Sequence, residues 1–219
     1  AAGGTAGHIN PALAIAGALK KADPTAEIHF AGRKEGMEYR LVTQAGYPFH
    51  HIEITGFQRK LSLHNIKRNI VTLWNLALSG PKARAMMKEV QPDLVINTGD
   101  NLGHEDGLRG IRTAFAPLGG VPGAFVHGSN DVTGPSPRNP LRYFQGPSQR
   151  PHRGVDLDTA AMDAYFRDDL GWVDLNNAAS VIDVAGLHLD AFGVSDAHRD
   201  WDDLGVLPGE LDDTAAILS

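Results

Sequence analysis

Gly3, Gly4, Thr5, Gly7 and His8 crowd together at the head of the chain, in the string GGTAGHINPALAIA, directly before an apolar helical pattern. Backbone N–H groups of a glycine-rich turn at a helix N-terminus make a site for phosphate, and Thr5 and His8 add side-chain hydrogen bonds. A tight strand-to-helix turn is the plainer alternative on these residues alone. His50 and His51 are neighbours in a strand pattern, so their rings face opposite sides and cannot chelate one ion together. His198 lies among Asp196, Asp200, Asp202 and Asp203, which would attract a cation, although a solvated acidic loop is the stronger reading. The pairs Arg59-Lys60 and Lys67-Arg68 read as a solvated basic face.

The elements that must position these residues alternate in type. A helix is expected over 9–21, with Pro11 in its first turn, where a missing N–H costs nothing. AEIHFAG (26–32) reads as a strand, 34–46 as a helix closed by Gly46, and YPFHHIEI (47–54) as a second strand. A long helical pattern over 65–90 is interrupted at Ser79-Gly80-Pro81. PDLVINTG (92–99) reads as a buried parallel strand. Beyond it come a helix near 105–117, the strand GAFVHG (123–128), a Pro/Gly/Arg-rich loop (133–154), a helix near 158–170, and a hairpin of SVIDVAG (180–186) with LHLDAFGV (187–194). This alternation argues an α/β fold built on a doubly wound parallel sheet, with strands near 27–31, 49–54 and 93–98 side by side.

A chain of 219 residues is long enough for one large domain or two small ones. No apolar run reaches the roughly 18–20 residues that span a bilayer, and no secretory leader is evident. With no cysteine, disulfides and thiolate chemistry are excluded, which suits a cytoplasmic protein. The net charge of −6 is unevenly spread: residues 1–90 carry +6 and residues 91–219 carry −12. The first part uses Lys and Glu; the second has no Lys and relies on Arg and Asp. Such a change of preference for the same charge points to two segments of different ancestry joined near residue 91. Neither part is a low-complexity arm, and no nucleic-acid partner is expected.

GGTAGHINPALAIA, HFAGRKEGMEYRLVTQAGYPFHHIEITGFQRK and VQPDLVINTG together resemble the N-terminal half of the MurG glycosyltransferases (glycosyltransferase family 28). Members of that family add N-acetylglucosamine to undecaprenyl-pyrophosphoryl-muramoyl-pentapeptide in peptidoglycan synthesis. The resemblance covers residues 1 to about 99. It implies half of a GT-B fold, with UDP-N-acetylglucosamine and a lipid-linked pyrophosphate as partners and no cofactor. It further implies a site at the inner face of the plasma membrane, where the basic pairs would meet anionic headgroups. The family's Thr-Gly-Gly-His loop lies by the phosphates; Gly4, Thr5, Ala6 and Gly7 take the substrate-binding places, with Ala6 for the usual glycine. His8 takes the catalytic one. The family's first strand would precede this loop, where only Ala1-Ala2 stand, so a truncated N-terminus is expected, with the donor-binding domain lacking and sugar transfer absent.

From Pro92 to about residue 205 the chain resembles an internal part of bacterial calcineurin-like metallophosphoesterases. PDLVINTGDNLGH places Asp100 on that family's bridging carboxylate. GVPGAFVHGSND resembles its Gly-Asn-His-Asp turn, with either Ser129 or Asn130 at the asparagine ligand. LGWVDLNNAA and LDAFGVSDAHRDWDDL resemble its middle. The implied cofactor is a divalent pair of Mn, Fe or Zn, held in part by Asp100 and Asn130. The remaining ligands would lie before Pro92 and after Ser219, so the centre would be incomplete. The expected organisation is a chimera: a MurG-like acceptor domain at 1–91 and a phosphoesterase-like α/β segment at 92–219, sharing the strand 92–99. A non-catalytic domain that binds pyrophosphate or a lipid headgroup is the third reading.

Overall fold

The computed structural model describes residues 6–32, 37–51, 81–134, 154–196, 200–207 and 217–218. Helix α1 spans Ala6–Ala22 and ends on Lys20 and Lys21, cations that suit the negative end of the helix dipole. It starts earlier than the pattern predicts, so Pro11 lies inside it rather than in its first turn. Pro11 therefore withholds the N–H that would bond to the carbonyl of Gly7. Strand β1 (Phe30–Gly32) and strand β2 (Phe49–His51) flank helix α2 (Met37–Gln44) and pair in parallel, Phe30 opposite Phe49. Ala26 to His29 stand outside the ladder, which shortens the strand expected over 26–32. Ile9, Ala16, Phe30 and Val42 form the core of this unit, with Leu13, Ile28, Leu41, Tyr47 and Phe49 packed around them.

A second parallel sheet follows helix α3 (81–90). Its strands are β3 (Val95–Asn97), β4 (Gly123–Phe125) and β5 (Val173–Asp174), hydrogen-bonded in the order β3-β4-β5. The register sets Val95 against Gly123 and Phe125 against Asp174. The expected single sheet is thus replaced: among the described residues, β1–β2 and β3–β4–β5 are separate sheets. Period-two patterning fixes which face of a strand is buried but not which strand lies beside it.

Side chains of β4 alternate across the sheet. Phe125 points into a layer formed by helix α4 (Gly107–Phe115), helix α6 (Thr159–Ala164) and the π-turn Tyr165–Asp169. There Phe166, fully buried, stacks on Trp172 with ring centroids 5.2 Å apart and lies 5.0 Å from Phe125. The helix expected near 158–170 therefore changes type at Tyr165, and Trp172 anchors the next turn by donating from Nε1 to the carbonyl of Val121. Ala124 and Val126 face the other way, against Leu175, Ile182 and Leu189, with Ile15 of α1 at the same core.

Ile182 and Leu189 belong to the predicted hairpin, β6 (Ala178–Val184) and β7 (Leu187–Gly193), which pair antiparallel throughout. Ala185 and Gly186 turn it with φ of 49° and 83°, the two positive values that a tight two-residue hairpin demands. Strand β8 (Ile217–Leu218) adds in parallel to β7.

Candidate functional site

Two places in the fold could carry chemistry. The first is the N-terminus of α1. Ala6, Gly7 and His8 form its first turn, while Gly4 and Thr5 lie outside the described residues. The first N–H groups of a helix have no acceptor within it and point outward along the axis, with the positive end of the dipole behind them. The expected position of the loop, at the head of a helix, is met from Ala6 onward.

The second place is the carboxyl edge of β3 and β4, where ligands bind in open parallel sheets. The chain leaves β3 through the buried Thr98, turns at Gly99 with φ of 90°, and continues through Asp100 with φ of 60°. A side chain at Gly99 would overlap the backbone N of Gly128, so the turns after β3 and β4 are in backbone contact there. The turn after β4 enters the short helix α5 (Ser129–Val132). Each turn offers the other a carboxylate. Asp100 accepts from the backbone N–H of Asn130 and from its side-chain amide, both at 3.0 Å. Asp131 is fully buried. Its Oδ2 accepts from the backbone of Asp100 (2.8 Å) and Gly128 (3.0 Å), and its Oδ1 from Asn101 (2.5 Å) and Leu102 (2.8 Å). Burial pushes the Asp131 carboxyl above the usual range, the amide donors of Gly128, Leu102 and Asn101 oppose that, and the charge of Asp100 adds to it.

His127 borders this clamp. Its backbone N–H donates to Asn176 Oδ1 (2.8 Å), and its Nε2 meets Asp163 Oδ1 of α6 at 2.6 Å. Burial pulls its pKa down most strongly of any single influence. The hydrogen bond and charge of Asp163, joined by Asp131 and Asp174, outweigh it and leave the imidazole raised above its ordinary value.

Asp100 and Asn130 are thus brought together, but as hydrogen-bond partners, with the amide nitrogen of Asn130 turned to the carboxylate. Ser129 opens α5. Among the described residues no group of three or more His, Asp or Glu side chains is arranged to hold a metal ion. The residues present therefore do not fit the metal pair that the phosphoesterase likeness implies. Asp131, the residue that organises this edge, was not singled out in the sequence; its signal is an acid three residues after Gly128, reaching back to that residue's N–H as in half a capping box. His127 pairs with a residue of a distant helix and leaves no local signal.

His50 and His51 diverge as expected: His50 Nε2 lies 2.8 Å from His29 Nδ1, with the rings stacked 5.1 Å apart, while His51 is exposed. Arg59-Lys60, Lys67-Arg68 and His198 lie outside the described residues. Among the described residues no helix is long and apolar enough to cross a membrane.

Residues 1–105 match the model of the glycosyltransferase family 28 N-terminal domain. The UDP-N-acetylglucosamine--N-acetylmuramyl-(pentapeptide) pyrophosphoryl-undecaprenol N-acetylglucosamine transferase of Alkaliphilus oremlandii is 45% identical over 97 residues, 44% of this chain and 25% of its own. The enzyme of the same name from Limosilactobacillus fermentum is 38% identical over 141 residues, 64% of this chain and 35% of its own, a length that carries the similarity beyond residue 105. A crystal structure of Acinetobacter baumannii MurG aligns at a TM-score of 0.40 and 24% identity, covering 58% of this chain and 34% of that one. The chain spans about a quarter to a third of the length of these curated relatives. Over residues 1–105, this protein is similar to the glycosyltransferase family 28 N-terminal domain.

Proposed function

We propose that residues 1–91 are the acceptor-side domain of a glycosyltransferase of peptidoglycan synthesis, half of a GT-B fold. The reaction served is transfer of N-acetylglucosamine from UDP-N-acetylglucosamine to a lipid-linked pyrophosphate acceptor. The observation that carries this reading is the position of Ala6, Gly7 and His8 as the first turn of α1, at the head of the segment similar to the family 28 domain. In this reading the N–H groups of that turn, with Gly4 and Thr5 before it, hold the acceptor pyrophosphate. His8 polarises the acceptor, no metal takes part, and the basic pairs of 59–68 rest on anionic lipid at the inner membrane face.

Binding and turnover test different parts of it. A soluble pyrophosphate-linked acceptor analogue is expected to shift the amide resonances of Gly7 to Asn10, and His8→Ala to weaken that binding. Unchanged resonances reduce the loop to a turn. This reading assigns residues 1–91 to acceptor binding alone, so the 219 residues by themselves are expected to transfer no sugar. Turnover lost in His8→Ala would reveal a donor site within them.

A second reading takes 92–219 as a phosphoesterase-derived segment joined at the shared strand 92–99. The Gly99-Asp100 and Gly128–Asp131 turns meet at neighbouring strand ends, as this reading needs, while the similarity to the Limosilactobacillus fermentum transferase runs past the proposed join. No hydrolytic step is derived from it, since the donor set does not hold a metal pair. Manganese-dependent hydrolysis of a chromogenic phosphodiester, lost in Asp100→Ala, would reverse that judgement.

A further inference from the structure

Away from both places, Arg84 of α3 and the exposed face of α4 border a shallow, open groove of about 540 Å³, lined by Arg84, Leu108, Arg109, Arg112, Thr113 and Ala116. Arg109, Arg112, Thr113 and Ala116 follow the three- and four-residue spacing of one helix face, and Arg84 comes from the facing helix. We propose that this groove binds a small phosphorylated molecule, its phosphate held by the three arginines and its apolar or planar part set against Leu108 and Ala116.

Three observations carry the proposal. First, among the described residues none of the three guanidinium groups forms an ion pair with a carboxylate. Arg109 and Arg112 lie in a segment, 91–219, whose net charge is −12, so acidic partners are abundant there and yet not used by them. Three like charges around one hollow repel each other, and an anion between them relieves the repulsion. Second, the site is partly pre-organised. The guanidinium carbon of Arg112 lies 5.4 Å from the ring centre of the buried Tyr165, whose hydroxyl donates back to the Arg112 carbonyl at 3.4 Å. The planar fork of Arg112 is thereby restricted before any ligand arrives. Third, the chemistry matches: arginine forks meet phosphate oxygens with paired charge-assisted hydrogen bonds. Leu108 and Ala116 give the groove an apolar part that a bare inorganic anion would leave unused.

The test titrates the full chain, labelled with nitrogen-15, with phenyl phosphate. Shifts are expected at residue 84 and across Leu108 to Ala116, saturating in the millimolar range or below. The double variant Arg84→Gln/Arg109→Gln, both exposed positions, should weaken binding about tenfold or more at unchanged Tm. Vesicles of phosphatidylglycerol in phosphatidylcholine form a separate arm. The proposal is overturned if α4 resonances do not move, if the double variant binds as the parent does, or if shifts are confined to Gly7–Asn10. It is equally overturned if the arginines bind vesicles but not phenyl phosphate, since the groove would then be a membrane-facing surface.

Discussion

Replacing Asp131 by Asn tests the clamp at the strand ends by a change of one atom. The carboxylate is fully buried, and its two oxygens each serve two backbone donors. Asparagine keeps one oxygen and puts an NH2 in place of the other. If Oδ1 is lost, Asn101 and Leu102 lose their acceptor; if Oδ2 is lost, Asp100 and Gly128 do. Either way one of the two orphaned amides belongs to a buried residue, Leu102 or Gly128, and the other to a half-buried one that water can reach. A buried donor without a partner costs about 1–3 kcal/mol and a half-buried one less, so Asp131→Asn should destabilise the fold by about 2–4 kcal/mol. Asp100→Asn is the matched control. It keeps an oxygen for the N–H of Asn130 and gives up the contact with that side chain, a partly exposed hydrogen bond worth about 0.5–1.5 kcal/mol. Urea unfolding followed by far-UV circular dichroism and tryptophan fluorescence measures both, with an unchanged m-value as the check on two-state behaviour. A loss in Asp131→Asn no larger than in Asp100→Asn would refute the assignment of Asp131 as the organiser of this edge.

Gly99→Ala should cost at least about 2 kcal/mol in the same assay, because it forces a side chain onto a positive φ and into the backbone of Gly128. Phe166→Ala, at the centre of the aromatic layer, should cost about 3–5 kcal/mol and blue- or red-shift the emission of its stacked neighbour Trp172. His127 carries a raised pKa in the folded state, so its pair with Asp163 contributes in full below the ordinary imidazole value. That contribution fades as pH rises through the raised one; His127→Gln should flatten the fall in stability over this window.

Local patterns carried much of this fold. The apolar positions Ile9, Ala12-Leu13 and Ala16 announce α1, and the alternation from Ala178 to Gly193 about Ala185-Gly186 announces the hairpin. Such signals repeat within one element, so one sequence suffices to read them. The separation of β1–β2 from β3–β4–β5 depends on neighbours far apart in the chain and has no period of its own. Site residues divide along the same line. The place of Ala6 to His8 at the head of a helix is legible because a glycine loop and its helix are contiguous. Asp100 and Asn130, expected as metal ligands, meet as a mutual hydrogen-bonded pair, since residue type alone does not say which atom of an amide faces a carboxylate. The pairing of His127 with Asp163 needed the packing of α6 on the sheet.

Helix α1 takes part in two cores at once: Ile9 and Ala16 are buried with Phe30 and Val42, whereas Ile15 packs against the core of Ala124, Val126 and Ile182. One rigid rod therefore joins two sheets that share no hydrogen bonds among the described residues. In hydrogen exchange, the amides of Phe30–Gly32 and of Val95–Asn97 should open as separate cooperative units, each at its own free energy. The middle of α1 should follow whichever unit is the more stable, since it is released only when both let go. An anion bound at the first turn of α1 would then protect only against the opening that releases the helix, although it touches neither sheet.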